Sequence, residues 1–179
     1  MGKWLSLLIA ISIAAVAADT VTKRYALPDK SSLQLVVPAS WKDEVRQQQA
    51  GTPPTIVFTP RQGSAFQVLV TPIWRPRPDI PVATREQVRA SVQRAADHVK
   101  GQAVENTLPL VEFAGASGSG YYFSATDKAP AAGDYKYLTE GMLQVEDLTV
   151  AFTILANEGE QQVRAAALDM VKTAARAQP

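Results

Sequence analysis

The sequence predicts an α+β domain in which an antiparallel sheet of about six to seven strands is flanked by helices, an α/β/α sandwich. Two observations carry this. Short runs rich in Val, Ile, Phe and Thr follow one another with turn residues between them, at separations that suit hairpins and not crossovers. Only two stretches repeat apolar residues at helical spacing over ten residues or more, and both are followed or preceded by such runs, the alternation of an antiparallel sheet with helices laid against it.

The chain opens on a leader. Lys3 is followed by an apolar middle at residues 4–14 and by Ala15, Val16 and Ala17, the charged start, hydrophobic core and small-residue site of a cleavable signal peptide. Residues 1–17 are therefore read as a leader and 18–179 as a single domain. About 160 residues suffice for one real hydrophobic core, since a chain of roughly 150 buries about 70% of its unfolded surface. The leader's apolar stretch is shorter than the roughly 20 residues of a membrane span, and no second run of that length follows. The chain has no Cys, which excludes a lipid-modified N-terminal cysteine, disulfides, thiolate nucleophiles and thiolate metal sites together. Removing Lys3 with the leader leaves 17 basic and 17 acidic residues. A neutral chain lacks the basic excess by which nucleic-acid binders neutralise phosphates.

Within the domain, residues 25–27 and 32–37 read as a hairpin around Pro28, Asp29 and Lys30, with Leu33, Leu35 and Val37 sharing one face. Residues 41–49 are predicted to be a short helix capped by Ser40, with only Trp41 and Val45 to bury. Residues 55–59 and 65–73 are antiparallel neighbours across a Pro-Arg-Gln-Gly turn. The prolines at 72, 76, 78 and 81 then prohibit helix and weaken sheet pairing, giving an extended connection. Thr84 opens the strongest helix, its capping box completed by Gln87 and its apolar stripe formed by Val88, Val92, Ala95 and Val99, with Gly101 as the stop. Four strands follow at 110–113, 120–126, 135–145 and 148–155. The last alternates Leu148, Val150, Phe152 and Ile154 with further apolar residues, the mark of a central strand covered on both sides. Residues 158–176 close the chain as a helix with Val163, Ala167, Met170, Val171 and Ala174 inward.

This order of elements resembles the PsbP-like α/β/α sandwich family. The likeness rests on the run Leu33-Gln-Leu-Val-Val-Pro-Ala-Ser-Trp41, two strands and a long helix, then the Gly120-Tyr-Tyr-Phe strand with its meander and final helix. The family includes the oxygen-evolving accessory subunit of photosystem II and a transport factor that binds the Ran GTPase. The resemblance implies a non-enzymatic binding or assembly role and places no functional residue on this chain.

Candidate sites are few. Trp74, Arg75 and Arg77 form an aromatic and two guanidiniums in a proline-stiffened segment; Trp and Arg dominate binding hot spots, and a pre-extended backbone loses less entropy on docking. Tyr121, Tyr122, Tyr135 and Tyr137 are a local concentration of phenols that would line a ligand groove if they shared a face, although alternation sets Tyr122 opposite Tyr121. His98, the only histidine, reads as a helix-surface residue near a C-terminus. The run 115–120, Gly-Ala-Ser-Gly-Ser-Gly, matches neither a nucleophile elbow nor a phosphate loop and reads as a strand-to-strand turn whose glycines take positive φ. Glu140, Glu146, Asp147 and Asp169 read as solvated charges, and the residues imply no metal and no cofactor. The expectation is an exported soluble accessory protein that binds another exported or envelope protein and performs no chemistry. The alternatives are a small-molecule or lipid binder with a pocket between sheet and helix, and a hydrolase whose residues meet only in the fold.

Overall fold

The structure, a computed structural model, describes residues 19–47, 49, 51–75, 77, 79–159 and 161–178. The leader and two of the four prolines of the extended connection, Pro76 and Pro78, lie outside the described residues. The N-terminal hairpin forms as the alternation requires: β1 (Thr20–Ala26) pairs antiparallel with β2 (Ser32–Pro38), Tyr25 opposite Leu33. Its turn places Pro28 and Asp29 between hydrogen bonds from Lys30 to Leu27 and from Leu27 to Ser31, and Lys30 takes a left-handed φ of 68°. This is a three-residue loop whose left-handed position usually holds Gly.

Residues 41–46 are not helical. They form β3 (Trp41–Arg46), paired along its whole length with β4 (Thr55–Pro60). A nine-residue helix here would be marginal in water, and Trp41 and Val45 do not share a buried side: Trp41 is buried in the core while Val45 is 56% exposed. Strand pairing satisfies the backbone instead, and Asp43 accepts hydrogen bonds from Lys23 and from the Tyr25 hydroxyl (2.9 Å) on β1.

β5 (Gln67–Ile73) pairs with β4 on one side and with β9 (Leu148–Ala156) on the other. Between them in sequence come α1 (Arg85–Val99), β6 (Val111–Gly115), β7 (Gly118–Thr126) and β8 (Tyr137–Val145). The result is a seven-stranded antiparallel sheet of order β3-β4-β5-β9-β8-β7-β6. β9 is its central strand.

The chain ends differently from the sequence reading. α2 (Gln161–Lys172) stops well before Arg176, and β10 (Ala175–Ala177) pairs with β2 to complete a second sheet of order β1-β2-β10. Thr173 causes the break: its hydroxyl donates to the Met170 carbonyl (2.6 Å) and accepts from the Val36 amide (2.9 Å). A side chain that binds the last helical carbonyl competes with continuing the helix, and here it also ties the chain to β2.

Two cores lie on opposite faces of the large sheet. The larger, with Leu33, Leu35, Phe58, Phe152, Met170 and Val171 among its members, fills the space between the large sheet and the small sheet with α2. The smaller sets Val88, Val92 and Ala96 of α1 against Tyr121 and Phe123 of β7. The α1 cap is the predicted capping box, Thr84 accepting from the Gln87 amide and Gln87 accepting from the Thr84 amide. The buried stripe runs through Ala96, with Ala95 and Val99 on its shoulder. α1 lies mainly over β7 and β8, so the outer face of β9 is half-covered: Ala151, Thr153 and Leu155 remain partly exposed.

The glycines of residues 115–120 do form a strand-to-strand connection, but for a reason other than positive φ. None of Gly115, Gly118 and Gly120 has one. A Cβ on Gly118 or Gly120 would overlap the backbone carbonyl of Gln144 or Met142 respectively. β8 crosses too close for any side chain.

Candidate functional site

The candidate site is an open cleft of about 400 Å³ lined by residues from four separate places in the chain. The β1–β2 turn supplies Pro28 and Asp29, the segment after β5 supplies Trp74, Arg75 and Arg77, the β8–β9 turn supplies Asp147, and β10 supplies Arg176. Trp74 is half-buried against the larger core, so its indole is fixed by packing while its remaining surface forms the cleft wall.

Arg176 is the hub. Its side chain is only 12% exposed and its guanidinium reaches three groups: Asp29, Asp147 and the Ser31 hydroxyl (3.1 Å). Asp147 takes a second guanidinium on its other oxygen, from Arg75 at 3.2 Å. Arg75 also donates to the Ile80 carbonyl at 3.1 Å. Asp29 accepts from the Ser31 hydroxyl at 2.6 Å and from the Ser31 amide at 3.1 Å. That hydroxyl bond first, and the Arg176 charge with it, outweigh desolvation and hold the Asp29 carboxyl below the usual carboxylate range. Arg77 is different: its side chain is 70% exposed and its one ion pair among the described residues, to Asp79, is long at 3.4 Å. Two arginines are thus locked by carboxylates while a third stands at the rim. A rigid wall of indole and guanidinium with an exposed, weakly paired cation beside it is suited to capturing a carboxylate-bearing segment, because guanidinium forks match carboxylate geometry.

Of the sequence candidates, the structure brings Trp74, Arg75 and Arg77 to one cleft. It does not bring the four tyrosines together. Tyr121 is buried beneath α1, its hydroxyl accepting from Arg85 (2.8 Å) and donating to Glu112 (3.4 Å). Tyr122 points to the opposite face and packs edge-on against Phe113. Tyr135 and Tyr137 line two further small cavities at the far end of β8. Alternation on β7 and the start of β8 only at Tyr137 account for this dispersal. His98 is exposed in the last turn of α1. Among the described residues no three His, Cys, Asp or Glu side chains gather closely enough to hold a metal ion.

Two charges read as solvated are not. Asp147 is the bridge between two arginines, and Glu140 is half-buried on the α1 face of the sheet, where burial raises its carboxyl above the ordinary range against a small opposing effect of His98. Glu146 and Asp169 are exposed as expected. Asp29 and Arg176 were missed by sequence reasoning. A signal for Asp29 existed in the Pro-Asp turn; Arg176 had none, because the helical reading ran through it.

No protein-family model matches the chain, and no curated protein sequence does. Among solved structures, the chain is similar to the solution structure of cyanobacterial PsbP (CyanoP) from Synechocystis sp. PCC 6803, with a TM-score of 0.50 and 12% identity over 91% of this chain and 96% of that one. The crystal structure of LpqN, involved in cell envelope biogenesis of Mycobacterium tuberculosis, matches with a TM-score of 0.49 and 12% identity over 88% of this chain and 91% of that one. The shared property is the fold, which is PsbP-like. No helix among the described residues is long and apolar enough to cross a membrane.

Proposed function

We propose that the protein is an exported accessory protein that binds another exported or envelope protein through the Trp74 cleft and performs no chemistry itself. The observation that carries this reading is the convergence of Trp74, Arg75, Arg77 and Arg176 on one cleft of about 400 Å³, with two of the arginines held rigid by Asp29 and Asp147. Rigid aromatic and guanidinium groups make binding hot spots, since little side-chain freedom is left to lose. The partner feature that fits is an acidic segment with an apolar residue beside it, the carboxylate taken by Arg77 and the apolar group by the indole. The Met1–Ala17 leader supports export, with residues 18–179 as the mature domain. A PsbP-like fold does not by itself select a function.

The cleft presents no free acid or base among the described residues. Its carboxylates are committed to guanidiniums, and guanidiniums neither accept nor release protons near neutrality. Crosslinking in the exported fraction followed by co-purification tests the reading: a reproducible partner lost with Trp74→Ala, at unchanged thermal stability, is expected. Recovery of the protein alone, or equal capture by the Trp74 variant, would overturn it.

A further inference from the structure

The outer face of the large sheet holds a second site, independent of the Trp74 cleft. In register across the strands, Phe123, Glu140, Thr153 and Leu69 form one row, and Tyr121, Met142, Ala151 and Thr71 form the next. α1 packs mainly on the β7 and β8 ends of these rows, and at the β9 and β5 ends Ala151, Thr153, Leu69 and Thr71 stay partly exposed. Where its edge passes over the sheet, Val92 and Ala95 close one side of a cavity of about 120 Å³ whose floor includes Leu69, Ala151, Thr153 and Glu140.

Glu140 is the only ionisable residue in that lining. Among the described residues nothing donates a hydrogen bond to its carboxyl, and the charge that acts on it is that of His98, on the exposed side of α1. A half-buried carboxylate is partly desolvated, so a cation that enters the cavity interacts with it more strongly than at an open surface. The hydroxyl-bearing residue directly opposite Glu140 is Thr153 on β9, while Thr55 and Thr71, bonded to each other at 2.8 Å, sit at the far end of the cavity on β4 and β5. Leu69, Val92, Ala95, Met142 and Ala151 make the rest of the lining largely apolar. We infer that this cavity binds a primary alkylammonium group, the ammonium on Glu140 beside Thr153, the methylenes running between Val92 and Ala95 on one side and Leu69 and Ala151 on the other. The volume agrees: a cavity of roughly 150 Å³ takes benzene, so an open one of about 120 Å³ has room for a short unbranched chain. A single carboxylate is too few ligands for a hard divalent cation, which takes six or more oxygens. An ammonium needs only three acceptors.

Such a group comes from a free amine or from a lysine side chain on a protein, and the experiment separates them. The mature chain is titrated with n-butylamine, with n-butanol and with Nα-acetyl-lysine N-methylamide, following amide shifts by NMR. Saturable shifts around residues 92–95, 140–142 and 151–153 are expected with butylamine, at a Kd on the order of 1 mM for so small a ligand, and weaker binding by about tenfold with butanol. Binding of the blocked lysine as well assigns the site to a protein lysine; binding of butylamine alone assigns it to free amines. Glu140→Gln should lose about tenfold in butylamine affinity, and Ala95→Leu should abolish binding by filling the cavity while leaving the carboxylate in place. Equal binding of butanol, unchanged affinity in Glu140→Gln, or no saturable shift at these residues would overturn the inference.

Discussion

Arg176→Met tests whether the cleft is held together as described, because it keeps the aliphatic stem and removes the guanidinium. Three contacts are lost, and they are unequal. The Asp29 arm contributes little, below about 1 kcal/mol, since Asp29 is 51% exposed and an ion pair open to water is weak. The Asp147 arm is worth more, about 1–2 kcal/mol, because Arg176 is 12% and Asp147 32% exposed, yet Arg75 remains to neutralise the carboxylate. Ser31 is buried at 3% but keeps its bond to Asp29, so its loss is about 0.5 kcal/mol. The variant should therefore be destabilised by about 2–3 kcal/mol, which for a domain of this size lowers Tm by roughly 5–10 °C. Urea denaturation with an unchanged m-value checks it. Raising the salt should shrink the difference only slightly, since the Asp147 arm is shielded from ions. A loss under about 0.5 kcal/mol, or one that salt erases, would show that the network is an ordinary surface cluster and that β10 is held by packing alone.

Lys30→Gly should stabilise the protein by about 0.5–1 kcal/mol, because the left-handed φ of 68° costs a lysine more than glycine's added freedom costs the unfolded chain; a lower urea midpoint would refute it. Gly120→Ala should cost more than about 2 kcal/mol, since the new Cβ would meet the Met142 carbonyl and force β7 and β8 apart, and unchanged amide-exchange protection along β8 would contradict that. The pH dependence should have two limbs of opposite sign. Burial raises Glu140 above its ordinary 4.5, so the folded state binds its proton more tightly and stability rises as pH falls through the folded pKa towards 4.5. Asp43 is pushed up by burial but pulled further down by Lys23 and Tyr25, to below its ordinary 3.8, so its contribution is full above that value and is lost as pH falls through the folded pKa. Glu140→Gln should remove the first limb, raise stability at neutral pH and leave the acid limb; persistence of the first limb in the variant would refute the assignment.

Legibility in the sequence followed local burial. β2, β5 and β9 announce themselves by strict alternation, and α1 by a capping box and an apolar stripe, because each carries its own hydrophobic signal. β3 carries none: Trp-Lys-Asp-Glu-Val-Arg is a polar edge strand rich in helix formers, and pairing with β4 overrides its propensity. β10 is three residues long, beneath any periodicity, and exists because Thr173 ends α2 and binds the Val36 amide.

The same distinction governs the two sites. Trp74, Arg75 and Arg77 could be singled out because they are neighbours in sequence and stiffened by prolines. Their partners could not, since Asp29 and Arg176 are 147 residues apart and meet only when β10 docks on β2. Docking of β10 therefore does two things at once: it closes the small sheet, and it delivers the guanidinium that draws the β1–β2 turn and the β8–β9 turn to the Trp74 segment. A cleft assembled this way is as stable as its last strand. Its binding affinity and the protection of the Ala175–Ala177 amides should then rise and fall together, while the cavity under α1, built from β4, β5, β8, β9 and α1 without β10, should be indifferent to both.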